Sequence, residues 1–237
     1  MEDLVNGLTE AVRLIVSRDA AVIEIVSLSL RVSGVALLIA AVLGVPLGAA
    51  LGLSRFVGRW LVVIFIYTGM GLPPVVVGLF VYLMLSRSGP LGQLNSPLIP
   101  KLFTPGAMIA AQVILALPLI AGFTMAAVLA VDPQLRQQVR ALGATSWQVA
   151  LATVREARVG VLVAIIAGFG AIISEVGAVM MVGGNIAGKT RVVTTAIVLE
   201  TGKGNFDLAL ALGIILLCIA FLINGTVLAL QGRSGGL

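Results

Sequence analysis

The chain has 237 residues, of which 59% are hydrophobic and only 11% are charged. Soluble domains usually carry about 25% charged residues, so this composition excludes an ordinary soluble domain and indicates an integral membrane protein. The net charge is +5, but the cations stand singly between apolar segments, which argues against nucleic-acid binding, and with no histidine and one cysteine no metal site is expected.

The first predicted element is a short amphipathic helix within residues 1–20. Glu10 and Arg13 lie opposite its apolar face, and we expect this face to lie in the membrane interface. The first charges of the chain are acidic and no small-residue cleavage site follows, so this segment is not predicted to be a signal peptide. The apolar positions at helical spacing are Leu4, Val5, Leu8, Val12, Ile15 and Val16.

Residues 21–237 are predicted to form a single transmembrane domain with about five spans, because a membrane helix needs about 20 apolar residues. The second span contains YTGMGLPPVVVG, where Pro73 and Pro74 remove backbone donors and Gly69 and Gly71 loosen the chain. We therefore predict a broken helix that lines a water-filled path, although a kink packed against a neighbour explains these residues equally well. The apolar runs cover about 24–53, 60–85, 105–131, 160–182 and 206–230.

The arginines predict the orientation of these spans. Arg55 and Arg59 occupy the first loop, and Arg136, Arg140 and other arginines crowd the third loop, which places both loops on one side. The positive-inside rule assigns that side to the cytoplasm. We expect an outside N-terminus and a cytoplasmic C-terminus in the inner or plasma membrane of a prokaryotic cell.

A polar hairpin, residues 132–158, follows the third span. Asp132 and Pro133 are a helix start, Gly143 is a helix stop, and Thr145 with Gln148 is the signature of a capping box. The pattern predicts two short amphipathic helices that meet at a glycine corner. We expect either a docking site for another protein or a surface hairpin whose apolar face is self-contained.

The corner of this hairpin resembles the cytoplasmic coupling loop of importer-type ABC transporter permeases. The resemblance rests on Leu142, Gly143, Ala144 and Trp147, while Gln137 to Val139 stand where that family has the residues EAA. It implies that the hairpin binds in a groove of a separate ABC ATP-binding subunit. ATP and magnesium would then be bound by that partner, with no cofactor in this chain.

Two further segments resemble molybdate and tungstate permeases, and most closely the tungstate type. They are residues 174–209, with SEVGA leading to GGNIAGKT, and residues 69–92 around GMGLPP. The resemblance implies an all-helical permease of the type I importer kind. It further implies a homodimer that alternates access, and an extracytoplasmic binding protein that delivers the oxyanion. Molybdate or sulfate as the cargo, and an ion-driven secondary transporter, stay open as alternatives.

The segment GGNIAGKT, residues 183–190, also matches the phosphate-loop pattern GxxxxGK[ST]. A membrane-bound nucleotide-hydrolysing enzyme would rest on this match alone. The predicted topology places the segment on the outer side, and no buried strand that ends in an acidic residue supplies a magnesium partner. We interpret the match as a false phosphate loop and do not expect an enzyme.

We predict instead that this segment helps an anion to cross. Gly183, Gly184 and Asn185 can form a backbone concavity, the Thr190 hydroxyl adds a donor, and Lys189 and Arg191 attract anions. A turn whose cations lie at lipid headgroups fits nearly as well. The remaining predicted path residues belong to the broken span and are Thr68, Gly69, Pro73 and Pro74.

Glu175 lies within the fourth predicted span, where an acid is costly and is usually paired. Its negative charge would repel an oxyanion, so we do not predict that it binds the cargo. We expect Glu175 to pair with Arg31 of the first span, or to cap backbone of a broken region, and thereby to fix a gate.

Overall fold

The computed structural model describes residues 2–94 and 96–234, and within them the regular structure is helical. The helices in chain order are α1 (Glu2–Val16), α2 (Ala20–Leu53), α3 (Arg59–Met70), α4 (Pro74–Leu85), a short 3-10 helix (Gly92–Leu94), α5 (Pro105–Leu129), α6 (Pro133–Ala141), α7 (Ser146–Glu156), α8 (Arg158–Ile173), α9 (Gly177–Gly183), α10 (Val193–Gly202) and α11 (Phe206–Ser234).

The predicted all-helical membrane architecture is confirmed. Among the described residues, α2, α5 and the Phe206–Thr226 part of α11 are long and apolar enough to cross a membrane. The pairs α3 with α4 and α7 with α8 pass the same test as bent spans. The described chain therefore provides three to five spans, depending on whether each bent pair is one span.

Two helix breaks interrupt the apolar segments. The first separates α3 from α4 at residues 71–73, as the prolines and glycines predicted. The second separates α8 from α9 at residues 174–176, so the expectation of one continuous span over 160–182 was wrong. The reason is local: the Glu175 carboxylate accepts a hydrogen bond from the Ala178 amide and so starts a new helix.

The chain divides into two compact units. The first comprises Met1–Val35, Pro74–Gln112 and Ile173–Leu237. In this unit α1 packs on α11, where Ala11 and Leu14 are buried with Ala211 and Ile215. The predicted helix at the start of the chain is thus present, while its place in the membrane interface and the single domain over 21–237 stay predictions.

The packed face of α1 is not the apolar face that the sequence suggested. That predicted face is largely exposed, and the Leu4 side chain lies outside the described part of the chain. The buried positions Gly7, Ala11 and Leu14 adjoin the predicted positions around the helix, so the apolar side is broad and only one edge of it is packed. The exposed apolar residues are Val5, Leu8, Val12, Ile15 and Val16.

Also in the first unit, α4 packs closely on α9. A side chain at Gly78 would lie 2.6 Å from the Ala178 Cα, and one at Gly177 would lie 2.6 Å from the Val75 side chain. Each of these helices begins directly after one of the two helix breaks, α4 after residues 71–73 and α9 after residues 174–176. Their close backbone contact holds the two helix starts together.

The second unit comprises Ala36–Pro73 and Val113–Ile172. Its centre is the contact between α2 and α5, where the glycines at every fourth position of α2, Gly44, Gly48 and Gly52, face α5. A Cβ on Gly48 would overlap the Ala121 carbonyl oxygen. Small residues at this spacing let helix backbones approach closely, as is common in membrane proteins.

The two helices run parallel, so both of their C-terminal ends lie at one end of this unit. Arg59 Nε donates to the Leu51 carbonyl at 2.8 Å, and Arg136 Nη2 donates to the Val128 carbonyl at 2.7 Å. Each arginine thus satisfies a carbonyl that the helix end leaves free. The two arginine-bearing loops lie at the same end of the unit, as expected, while the assignment of that end to the cytoplasm stays a prediction.

Candidate functional site

The helices of the polar hairpin begin at the predicted caps. The Asp132 carboxylate accepts from the Gln134 amide at 2.8 Å with Pro133 in the first helical position. Thr145 and Gln148 form a reciprocal capping box, in which the Thr145 amide donates to Gln148 Oε1 at 2.8 Å. These bonds satisfy helix-end donors within the hairpin itself, so the hairpin has a defined shape without a partner.

The corner between the two helices depends on Gly143. Its φ angle is +84°, and nothing lies within 4 Å of the position that a Cβ would take. Two large apolar side chains flank the corner and are exposed, Leu142 at 88% and Trp147 at 76%. The hairpin therefore presents an uncovered apolar tip, which favours the docking alternative over a self-contained face.

The base of the hairpin is packed on the ends of α2 and α5. Val131 and Ala157 are buried in one cluster with Ala49 and Val128. Arg136 adds the hydrogen bond to the Val128 carbonyl, and its Nε is buried without a hydrogen-bond partner among the described atoms. A displacement of the hairpin would therefore be transmitted to these helix ends.

The glycine turn, residues 183–191, follows α9 rather than a strand. Its backbone is folded around one carbonyl, because the amides of Lys189, Thr190 and Arg191 all donate to the Ile186 oxygen at 2.9 to 3.2 Å. In a phosphate loop such amides point at the ligand instead. The same bonds leave few free amides for the predicted anion concavity.

The side chains of the turn also bond to its own backbone. The Thr190 hydroxyl is fully buried, donates to the Gly183 carbonyl at 2.6 Å and accepts from the Ile186 amide at 3.0 Å. Asn185, at φ +50°, donates to the Thr195 carbonyl and accepts from Arg191 Nε at 3.3 Å. Of the predicted path residues in the turn, Thr190 and Asn185 thus serve its internal structure.

The remaining cation of the turn, Lys189, is exposed. Two acidic groups of the same unit lie near this part of the turn. A Cβ on Gly188 would lie 3.8 Å from Glu24 Oε1, and the field of Arg191 reaches Glu200. The pKa of Glu200 is lowered chiefly by its hydrogen bond from Lys203, with a smaller contribution from Arg191. Arg191 is bonded to Asn185, whereas Lys189 takes part in no ion pair among the described residues, so Lys189 is the predicted anion-attracting group that is available.

Phe103 and Met108 hold the start of the turn in place. The Phe103 amide donates to the Val182 carbonyl at 2.9 Å, and its ring lies 2.8 Å from where a Cβ of Gly184 would be. Met108 lies equally close to Gly183, with its sulfur at 3.0 Å from a built Cβ. Glycine at 183 and 184 thus permits close packing, in addition to the left-handed φ of +73° at Gly184.

Glu175 is buried and caps α9. Its Oε1 accepts from the Ala178 amide at 2.9 Å, and its own carbonyl accepts from the Thr194 hydroxyl at 2.9 Å. The described residues contain no ion pair between Glu175 and Arg31, whose side chain is exposed. Of the two alternatives for Glu175, the structure thus has the backbone cap and not the pair with Arg31.

The predicted path residues of the broken span lie at the end of α3 and the start of α4. Thr68, Pro73 and Pro74 are exposed, and the Gly71 amide donates to the Thr68 carbonyl at 3.1 Å. Gly69 faces Pro118 of α5, whose ring would lie 2.7 Å from a Cβ there. Thr68, Pro73 and Pro74 are thus accessible and Gly69 is packed, and the role of these residues in a path stays a prediction.

The chain resembles known proteins both at the level of a family and at the level of individual relatives. Residues 44–234 match the family described as "Binding-protein-dependent transport system inner membrane component". The chain is 45% identical over 90% of its length to a Haloferax volcanii protein described as "Probable anion ABC transporter permease protein", of which it covers 92%. It is 41% identical to the tungstate uptake system permease TupB of Peptoclostridium acidaminophilum, over 98% of this chain and 99% of TupB.

More distant similarity extends to molybdenum permeases and to a solved structure. The molybdenum transport system permease ModB of Escherichia coli is 31% identical over 73% of this chain and 77% of ModB. A crystal structure of an amino acid ABC transporter with histidines superposes with a TM-score of 0.63 at 20% identity, over 92% of this chain and 94% of that one. This likeness supports the fold of a type I importer permease.

Proposed function

Since the chain belongs to the family of binding-protein-dependent transport system inner membrane components, we propose that it is the permease subunit of an ATP-driven tungstate importer. Members of this family are multi-pass inner-membrane transport components, not enzymes. In the proposed importer two copies of the chain form the path, a separate ABC subunit hydrolyses ATP, and an extracytoplasmic binding protein delivers the anion.

One observation supports tungstate over molybdate as the transported anion. The similarity to TupB extends over 98% of this chain at 41% identity, whereas the similarity to the E. coli molybdenum permease extends over 73% at 31%. Molybdate has nearly the same charge and size as tungstate, so both anions would pass one path. Selection between the two then rests with the binding protein.

The coupling role of the hairpin is supported by its exposed tip and its anchored base. Leu142 and Trp147 offer an apolar contact for a groove of the ATPase subunit, and exposed aromatic anchors of this kind often dominate binding energy. The base is packed on the ends of α2 and α5. Closure of the ATPase subunits on ATP would pull the hairpin, shift these helix ends and so alternate the access of the path.

We propose that Lys189 attracts the oxyanion to the outer mouth, while the rest of the glycine turn provides a rigid frame. A single exposed cation raises the local anion concentration without trapping the ion. Of the path residues of the broken span, Thr68 would then replace part of the hydration shell with its hydroxyl donor, while Gly69, Pro73 and Pro74 would shape the break that exposes it.

Uptake by the reconstituted complex tests this function. The chain is assembled in vesicles with an ABC ATP-binding subunit and an oxyanion-binding protein as its partners, and radiolabelled tungstate uptake is measured with and without ATP. We expect ATP-dependent uptake that excess unlabelled tungstate inhibits and excess sulfate does not, whereas inhibition by molybdate depends on the binding protein. Uptake that persists without ATP and follows an imposed ion gradient would contradict the proposal and favour a secondary transporter. Equal inhibition by sulfate would contradict the assignment of tungstate.

A further inference from the structure

An apolar groove of about 460 Å³ lies where α1, α2 and α11 meet in the first unit. Leu14, Val26 and Ile215 form its floor, and Ile23 and Leu30 form an exposed wall at 52% and 37% exposure. Arg18 is the only charged residue among those that line it in the described chain. A groove with an apolar lining and one cation has the chemistry of a lipid site, not of a site for a hydrated ion.

Arg18 stands in the turn between α1 and α2 with a φ angle of +50°. This left-handed conformation is easily adopted by glycine and is strained for a long side chain. The turn is otherwise fixed by the amides of Ser17, Arg18 and Asp19, which donate to Arg13, Ile15 and Leu14 carbonyls. An arginine at a position that suits glycine suggests that its side chain has a role of its own.

The neighbouring charges leave the Arg18 guanidinium available. The Asp19 carboxylate accepts from the Val22 amide at 3.0 Å and caps α2, and Arg13 is paired with Glu10 at 3.2 Å. Arg18 takes part in no ion pair in the described part of the chain, and its side chain is exposed. The free cation is therefore available to an anionic group outside the chain.

We propose that this groove binds one acyl chain of an anionic phospholipid, whose phosphate is held by Arg18. Guanidinium groups bind phosphate with paired hydrogen bonds, and basic groups beside apolar surface are typical of bound anionic lipid. The occupied groove would fasten α1 to α2 and α11 from the membrane side. The proposal does not depend on the identity of the cargo.

Lipid contact can be measured at a single labelled cysteine, because Cys218 is the only cysteine of the sequence. In a Cys218→Ser background, Ile23→Cys in the groove wall carries a fluorophore, and the full chain is placed in phosphatidylcholine vesicles. The vesicles contain acyl-chain nitroxide-labelled phosphatidylglycerol or phosphatidylcholine as the quencher. The matched control is Val42→Cys, which is 62% exposed on α2.

We expect phosphatidylglycerol to quench the label at residue 23 with about fivefold higher apparent affinity than phosphatidylcholine. In Arg18→Gln and Arg18→Gly the two lipids should quench with about equal affinity, whereas Arg18→Lys should keep the preference for phosphatidylglycerol. The label at residue 42 should show no preference between the lipids. Arg18→Gly relieves the backbone, so it keeps the test valid if Arg18→Gln folds poorly. The proposal would be overturned if the preference for phosphatidylglycerol persisted without the cation, or if the parent chain showed no preference. It would also be overturned if the label at residue 23 were not quenched because a second copy of the chain covers the groove.

Discussion

Arg136 of α6 donates a 2.7 Å hydrogen bond to the Val128 carbonyl near the end of α5. Through this bond the hairpin that is proposed to receive force from the ATPase subunit is joined to a helix that crosses the membrane. Hydrogen bonds to charged groups contribute about 1.5–3 kcal/mol when partly buried. Loss of the bond should therefore weaken the attachment of the hairpin to the end of α5.

We expect Arg136→Gln to lower the thermal stability of the purified chain and to reduce uptake more than it reduces ATP hydrolysis by the complex. The matched control is Arg140→Gln, which removes the same charge from an exposed position of the same helix. Unfolding temperature, ATPase rate and uptake are measured for both variants. Equal effects of the two substitutions would show that only the net charge of the hairpin matters.

Gly143→Asp tests the docking assignment at the corner of the hairpin. Nothing in the chain lies within 4 Å of a Cβ there, so the cost within the chain is that of the left-handed backbone, about 1–2 kcal/mol. We expect the variant to reach the membrane, and to hydrolyse ATP in the complex without uptake. Gly204→Asp is the control, because Gly204 has a φ of +79° and equally open surroundings. Full uptake by the residue 143 variant would refute the assignment.

The hairpin was predicted well because its signals are local. Asp132 with Pro133, Gly143, and Thr145 with Gln148 act within a few residues, so helix ends and the corner can be read from the sequence alone. Which apolar side chains remain exposed depends on the surrounding helices. Val149 and Thr153 form the buried face of α7, while the apolar side chains of Trp147 and Leu151 are exposed.

The stripe of Gly44, Gly48 and Gly52 was missed, although its spacing is visible in the sequence. Its meaning depends on a partner helix more than 60 positions away, and glycine is frequent throughout the chain. We expect Gly48→Ala to destabilise the chain by about 1–3 kcal/mol, because the added methyl group would overlap the Ala121 carbonyl oxygen. Gly34→Ala in the same helix has open space and should not destabilise it. Thermal unfolding in detergent distinguishes the two, and equal unfolding temperatures would contradict the close contact.

Substitutions of Glu175 distinguish the role of its hydrogen bond to the Ala178 amide from the role of its negative charge. Glutamine keeps a carbonyl oxygen that can accept from the Ala178 amide, whereas alanine leaves that buried donor unpaired. We expect Glu175→Gln to keep most of the stability and Glu175→Ala to lose about 1 kcal/mol or more. Hydrogen exchange of the Ala178 amide and the unfolding temperature provide the measurements. If glutamine is as harmful as alanine, then the charge itself is required and an ionic partner must be sought.

The sequence could not reveal the internal bonding of the glycine turn, since the same letters GGNIAGKT serve a phosphate loop when a strand precedes them. Here α9 precedes them, and the amides of residues 189–191 meet the Ile186 carbonyl. Whether these residues form a phosphate loop thus depends on the secondary-structure element that precedes them. From residue type alone, Thr190 and Asn185 were predicted to line the anion path. In the structure their side-chain hydrogen bonds stabilise the glycine turn.

Thr190→Val removes a hydroxyl that serves both the Gly183 carbonyl and the Ile186 amide, while Thr190→Ser retains it. We expect valine to destabilise the chain by about 1–3 kcal/mol, since the buried Gly183 carbonyl and the partly buried Ile186 amide lose their partner, and serine to cost less. A phosphate loop would instead use this hydroxyl to hold magnesium, so the isolated parent chain would bind magnesium nucleotide and the valine variant would lose it. Binding of a fluorescent ATP analogue to the isolated chain, with unfolding temperatures of all three proteins, separates the two roles. Nucleotide binding by the parent chain that Thr190→Val abolishes would overturn the interpretation of the turn as a structural frame.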